Sequence, residues 1–149
     1  MDIAHEGASG RVRALPTRLI SQVAVVANRA TDRALEPTGS RRHHYALLAT
    51  LDEFGPDSQA ELGRRTRIDR SDIVAAVNDL AGRGFVHRTP DPADRRRNII
   101  SLTRVGAAHL ADLDTRLEAA QAELLPGFST ADRATFVLLL NRVLEQHAR

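Results

Sequence analysis

The 149 residues contain no cysteine, no tryptophan and no lysine. Without cysteine the chain has no disulfide, no thiolate metal site and no cysteine-based redox sensing. Without lysine all 21 basic residues are arginine, whose planar fork can meet a phosphate or a guanine edge with two parallel hydrogen bonds. Aromatic residues are only 3% of the chain, so the core must come from Leu, Val, Ile and Ala. No apolar run approaches the roughly 20 residues needed to span a bilayer. The first residues lack the apolar centre of a signal peptide. A cytoplasmic protein with no membrane partner is expected.

Apolar residues are 42% and charged residues 27%, the balance of an ordinary globular domain. The length suits a single domain with helical extensions. The formal net charge is only +2, but it is unevenly placed. Between Ser58 and Arg104 ten Arg face six Asp or Glu, a net of +4, which leaves −2 for the rest.

The stretch Ser58–Thr103 organises the chain. Ser58-x-x-Glu61 is a capping box for a short helix reaching Thr66. Asp69, answered by Asp72, begins a second helix, about Arg70–Arg83, with Ile73, Val77 and Leu80 along one side. Gly84 stands where a helix end wants a left-handed residue. Two β-rich runs follow, Phe85–Thr89 and Asn98–Leu102, joined by a turn-forming tip that carries Arg95, Arg96 and Arg97. This order is the plan of a winged helix-turn-helix, which lays one helix in the DNA major groove and a hairpin beside it.

The flanks read as helices. Residues 1–13, with Gly7, Ser9 and Gly10, form an expected mobile tail. Leu15, Leu19, Val23, Val26, Ala27, Ala30 and Ala34 step by threes and fours to about Leu35. A breaker cluster, Glu36–Gly39, precedes a helix over about Ser40–Phe54. Thr103 caps a long helix to about Leu125, whose Leu110, Leu113, Leu117, Ala120 and Leu124 form a heptad-like seam. Ser129-x-x-Asp132 starts a last helix with Phe136, Leu139, Leu140, Val143 and Leu144 apolar. The expected fold is therefore mainly α with a small β-hairpin wing: one domain over 14–149, its winged module at about 40–103, its dimerisation helices at about 15–35 and 104–147.

Within that plan Arg70, Ser71, Ala75 and Asn78 are the base-facing candidates on the second helix. Asn can pair with adenine in two places, and Ala can touch a thymine methyl. Ser58 and Gln59 open a helix, where amides meet phosphate. Arg64 is a further phosphate candidate, with Arg65 and Arg67 near it. Asp79 is placed to pair with Arg83 one turn on, worth about 0.2–0.5 kcal/mol. No nucleophile elbow, phosphate loop, HExxH or paired-carboxylate constellation occurs, so neither an enzyme nor a cofactor is expected. Adjacent His43 and His44 point 100° apart on a helix and make poor ligands for one metal.

Asp94-Arg95-Arg96-Arg97, then Ser101-Leu102-Thr103 and Gly106, resembles the wing signature of MarR-type regulators. Leu80, Gly84, Phe85, Val86 and Arg88 resemble the segment before that family's wing. The likeness covers about residues 15–147. It implies a homodimer formed by the first, fifth and sixth helices, and a repressor of double-stranded DNA targets released by a small anionic or aromatic effector. It also implies that Arg96 enters the minor groove, with Asp94 orienting it. By position, Arg42, His43 and Tyr45 resemble the family's effector pocket. The plainer alternative makes Tyr45 a core residue and the histidines surface or dimer contacts. Asp72 and Asp79 depart from the pattern by bringing negative charge near DNA. They favour a competing reading, a winged-helix protein-interaction module without DNA binding.

Overall fold

The computed structural model describes residues 9–148. Helix α1 is one turn, Gly10–Arg13, where the sequence suggested tail; the first eight residues lie outside the described part. Helix α2 spans Pro16–Leu35, with the proline in its first turn where no amide bond is lost. A 3-10 turn, Glu36–Thr38, replaces the expected break. Helix α3 runs Arg42–Phe54, α4 Gln59–Thr66 and α5 Arg70–Gly82. Strands β2 (Val86–Pro90) and β3 (Asn98–Leu102) form the wing, followed by α6 (Arg104–Leu124) and α7 (Thr130–Gln146).

Local signals account for most boundaries. Ser58 Oγ accepts from the Glu61 amide and Thr103 Oγ1 from the Gly106 amide. Ser129 and Asp132 complete a reciprocal box. The box at Ser58 is only half made. Its own amide donates to Asp57 Oδ1, while the Glu61 carboxylate pairs with Arg64. Asp69 occupies the N-cap of α5 but makes no side-chain cap bond. Gly84 is left-handed at φ +79°.

The core gathers around α3. Leu47, Leu48 and Leu51 meet Leu62 of α4, Ile73, Val77 and Leu80 of α5, Ile100 of β3, and Leu110 and Leu113 of α6. A two-residue strand, β1 (Asp57–Ser58), adds to the wing as an antiparallel edge, giving the order β1-β3-β2. Asp57 faces Ile100 and Ser58 faces Ile99. This short ladder matters for function, because it fixes the start of α4 against the base of the wing.

The outer helices behave differently. No residue of α7 is buried. Leu138 and Leu144 are each 59% exposed, and Leu15, Leu19, Ile20, Val23 and Val26 of the N-terminal part are also exposed. The total accessible surface is 10815 Å², whereas a compact monomer of this mass exposes about 7,500 Å².

Candidate nucleic-acid interface

Helix α5 divides cleanly. Ile73, Ala76, Val77 and Leu80 are buried, while Arg70, Ser71, Val74, Ala75 and Asn78 face outward. The outward strip is narrow and small-sided, so the helix backbone can approach a groove closely. Val74, an apolar residue, is 39% exposed and lies on this outward face.

The two acidic residues are turned away from that strip. Asp79 Oδ2 lies 3.3 Å from His44 Nε2 and 3.3 Å from Arg83 Nη1. Asp72 lines a cavity with Arg41, Arg42 and His43 at the start of α3. Arg83 also anchors the end of α5. Its guanidinium donates to the Thr38 and Gly39 carbonyls at 2.7 and 3.2 Å and to Ser40 Oγ at 3.0 Å. It stacks on Phe85, 4.7 Å from the ring centre. The pairing of Asp79 with Arg83 is thus part of a larger clamp between α5 and the turn after α2.

A cleft of about 550 Å³ lies between the start of α4, the start of α5 and the wing. Ser58, Gln59 and Ala60 form one wall, Arg70 a second, Arg96 and Arg97 a third, and no acidic side chain lines it. Amides at a helix start carry partial positive charge, which adds to that of the three arginines lining the cleft. Ser58 is 3% exposed with its hydroxyl spent on the cap; its part in the cleft is to hold the helix start. Arg64 is tied to Glu61, and Arg65 to Asp57 at 3.1 Å. Arg65 also lies over the Phe54 ring. Among the described residues, Arg70, Arg95, Arg96 and Arg97 have no carboxylate partner.

The wing tip is set by two aspartates. Asp91 Oδ1 accepts from the Ala93 amide and Asp94 Oδ1 from the Arg96 amide. Asp94 therefore aligns the backbone of Arg96 rather than gripping its guanidinium.

Arg42 and His43 line one cavity, and Tyr45 lies apart from them. Arg42 bridges to Asp32 at 3.1 Å and Asn28 at 2.8 Å on α2. His43 is exposed beside it. Tyr45 packs against the core and donates to Asp114 Oδ1 at 2.7 Å, facing a different cavity beside α6. Burial, then the Asp114 contact, pushes its hydroxyl up to about 12. No group of metal-ligating side chains occurs among the described residues, and no helix among them is long and apolar enough to cross a membrane.

Burial holds His44 below the ordinary histidine value of 6.5, against the pull of Asp79. Its Nδ1 accepts from the Arg41 amide at 2.8 Å, so the buried ring is neutral. His109, bonded to Ser40 Oγ at 2.7 Å and stacked on Phe85, is lowered for the same leading reason. A lowered folded pKa means that the unfolded chain takes up the proton first. Stability is therefore complete above 6.5 and falls as pH drops through the folded values. The thermal midpoint should decline on acidification below 6.5, less so in His44→Gln; equal declines would assign the effect to other groups.

A model of the MarR family matches residues 38–97, the winged module without its last strand. A MarR-family regulator from Rhodococcus sp. RHA1 is 31% identical, with a TM-score of 0.74 over 87% of this chain and 89% of that one. The chain belongs to the MarR family. Within this family of DNA-binding transcriptional regulators, the repressor NicR of Pseudomonas putida is 36% identical over 104 residues. That match takes in 68% of this chain and 64% of the repressor's length. A mutant MarR of E. coli, solved in complex with operator DNA, shares the fold with a TM-score of 0.76 over 92% of this chain and 99% of that one, at 24% identity.

Arg88 and Val74 are the outward residues that sequence reasoning passed over. Arg88 Nη1 donates to Asn78 Oδ1 across from β2 to α5. Its place in the motif was noted, but neither spacing nor composition signals a contact between a strand and a helix ten residues earlier.

Proposed function

We propose that the chain is a homodimeric, sequence-specific regulator that represses transcription by binding a pseudo-palindromic operator, acting in the cytoplasm with no catalytic step. The observation that carries this reading is the acid-free cleft where the start of α4, Arg70 of α5, and Arg96 and Arg97 of the wing converge. A phosphate seated there would place the outward strip of α5 in the major groove and the wing over the neighbouring minor groove. The dimer is supported by helix α7, which carries a broad apolar face and buries no residue within the single chain. The interaction-module alternative loses support, since the Asp79 carboxylate, though exposed, is engaged by His44 and Arg83.

An anionic effector has one plausible seat. The cavity bounded by Arg41, Arg42 and His43 of α3 also touches Asp32 of α2 and Asp72 of α5. A carboxylate there would compete with Asp32 for Arg42 and so act on the joint between the dimer helices and the recognition helix.

The test is a gel-shift of the duplex upstream of the chain's own gene at rising salt. Binding should weaken steeply, with a logarithmic slope of about −0.9 per phosphate contact. Arg96→Ala should bind more weakly with a shallower slope. No shift even at low salt would return the interaction module to favour.

A further inference from the structure

Asn78 is not presented as a lone amide. Its Oδ1 accepts from Arg88 Nη1, and both side chains are exposed, one on α5 and one on β2. We propose that Asn78 and Arg88 act as one composite donor that selects a guanine in each half-site, where a free asparagine would select adenine. The inference rests on the DNA-binding reading above and adds the identity of the base.

The argument is one of donors and acceptors. Reading adenine in two places requires an amide to accept from N6 while donating to N7. Here the acceptor already holds an arginine N–H. Its remaining lone pair lies beside a full positive charge, an unfavourable place for the amino group of adenine or cytosine. What the pair offers outward is the Asn78 amide hydrogens and the spare N–H groups of Arg88. Guanine presents two acceptors, O6 and N7, and no donor on its major-groove edge. Adenine and cytosine each bring an amino donor, and thymine offers one acceptor beside a methyl, so guanine alone gives such a surface two acceptors.

The packing sets where this happens. Asn78 shares the outward strip with Ser71, Val74 and Ala75. Seven residues of helix separate Ser71 from Asn78, about 10 Å, which is roughly three base-pair steps. The small or apolar members suit thymine methyls, so the composite donor supplies the polar specificity of the strip. Arg88 can reach it because β2 begins two residues after Gly84, whose left-handed turn at φ +79° brings the strand back along α5.

The experiment is selection of duplexes from a random pool by the full chain and by Asn78→Ala and Arg88→Met. Selected duplexes are then titrated with each guanine replaced in turn by 7-deazaguanine, which lacks N7. The parent should enrich one guanine in each half-site, and its 7-deaza form should bind about tenfold more weakly. Both variants should lose the preference at that position alone and be nearly indifferent to the 7-deaza change. Enrichment of adenine at the position that Asn78→Ala relaxes, or an unchanged preference in Arg88→Met, would overturn the composite donor while leaving DNA binding standing. No enrichment by any of the three would bring down the DNA-binding reading itself and this inference with it.

Discussion

Replacing Leu139 and Val143 together by aspartate should convert the chain to a monomer and lower its affinity for duplex DNA by about a hundredfold or more. Both residues are exposed, at 48% and 47%, on a helix that has no buried residue in the single chain. Phe136, Val137, Leu138, Leu139, Leu140, Val143 and Leu144 cover most of its circumference. An apolar face this broad is stable only when it is covered. Two carboxylates would have to be buried without partners in any such enclosure, which costs several kcal/mol for each ion. The winged module has its own core around α3, to which α7 contributes nothing. Its helices should therefore persist in the monomer. What is lost is the tether that makes the second half-site contact intramolecular. Sedimentation and a duplex titration read the two consequences, and a dimer that survives both substitutions would place the interface elsewhere.

Gly106→Ala should destabilise the fold by about 3 kcal/mol or more. A Cβ at this position would stand 2.0 Å from the Phe85 carbonyl oxygen and 2.8 Å from its carbon. Both are backbone atoms, so no side chain can swing aside. The same carbonyl accepts from the Thr103 amide at 3.1 Å. Phe85 in turn stacks on His109 of α6, with 4.0 Å between ring centres. The first turn of α6 and the base of the wing are thus pressed together at a single glycine. Moving them apart would also shift Arg96 and Arg97 relative to α5. The thermal midpoint should drop by several degrees, and DNA affinity should fall even at temperatures where the variant remains folded. A midpoint equal to the parent's would mean that the joint has slack.

These two cases show what could be read from the residues and what could not. The apolar steps of α7 and the caps at Ser58, Thr103 and Ser129 are local signals, and the helices stand close to where those signals put them. The wing likewise follows from its β-rich runs and its turn-forming tip. Gly106 was recognisable only as part of a motif. Its reason for being glycine is an approach to Phe85, twenty-one residues earlier, that no local pattern encodes. Strand β1 is too short for periodicity to register, though it sets the start of α4 beside the wing. The arginines at the interface were foreseeable as types and positions, but their sorting was not. Arg64 and Arg65 are held by carboxylates, whereas Arg70, Arg96 and Arg97 line the open cleft. Asp79 shows the converse: alternation around a helix puts it near the groove side, and the tertiary clamp with His44 and Arg83 draws it away. Of the expected effector residues, Arg42 and His43 line one cavity, whereas Tyr45, about one turn on, faces another.

The central claim is that two copies of α5, held by one dimer, lie in successive major grooves with a wing beside each. A hydroxyl-radical footprint on the upstream duplex measures this most directly. The account predicts two protected tracts related by a dyad, their centres about one helical turn apart, with flanking minor-groove protection that disappears in Arg96→Ala. A single unpaired tract, or flanking protection unchanged in that variant, would contradict it.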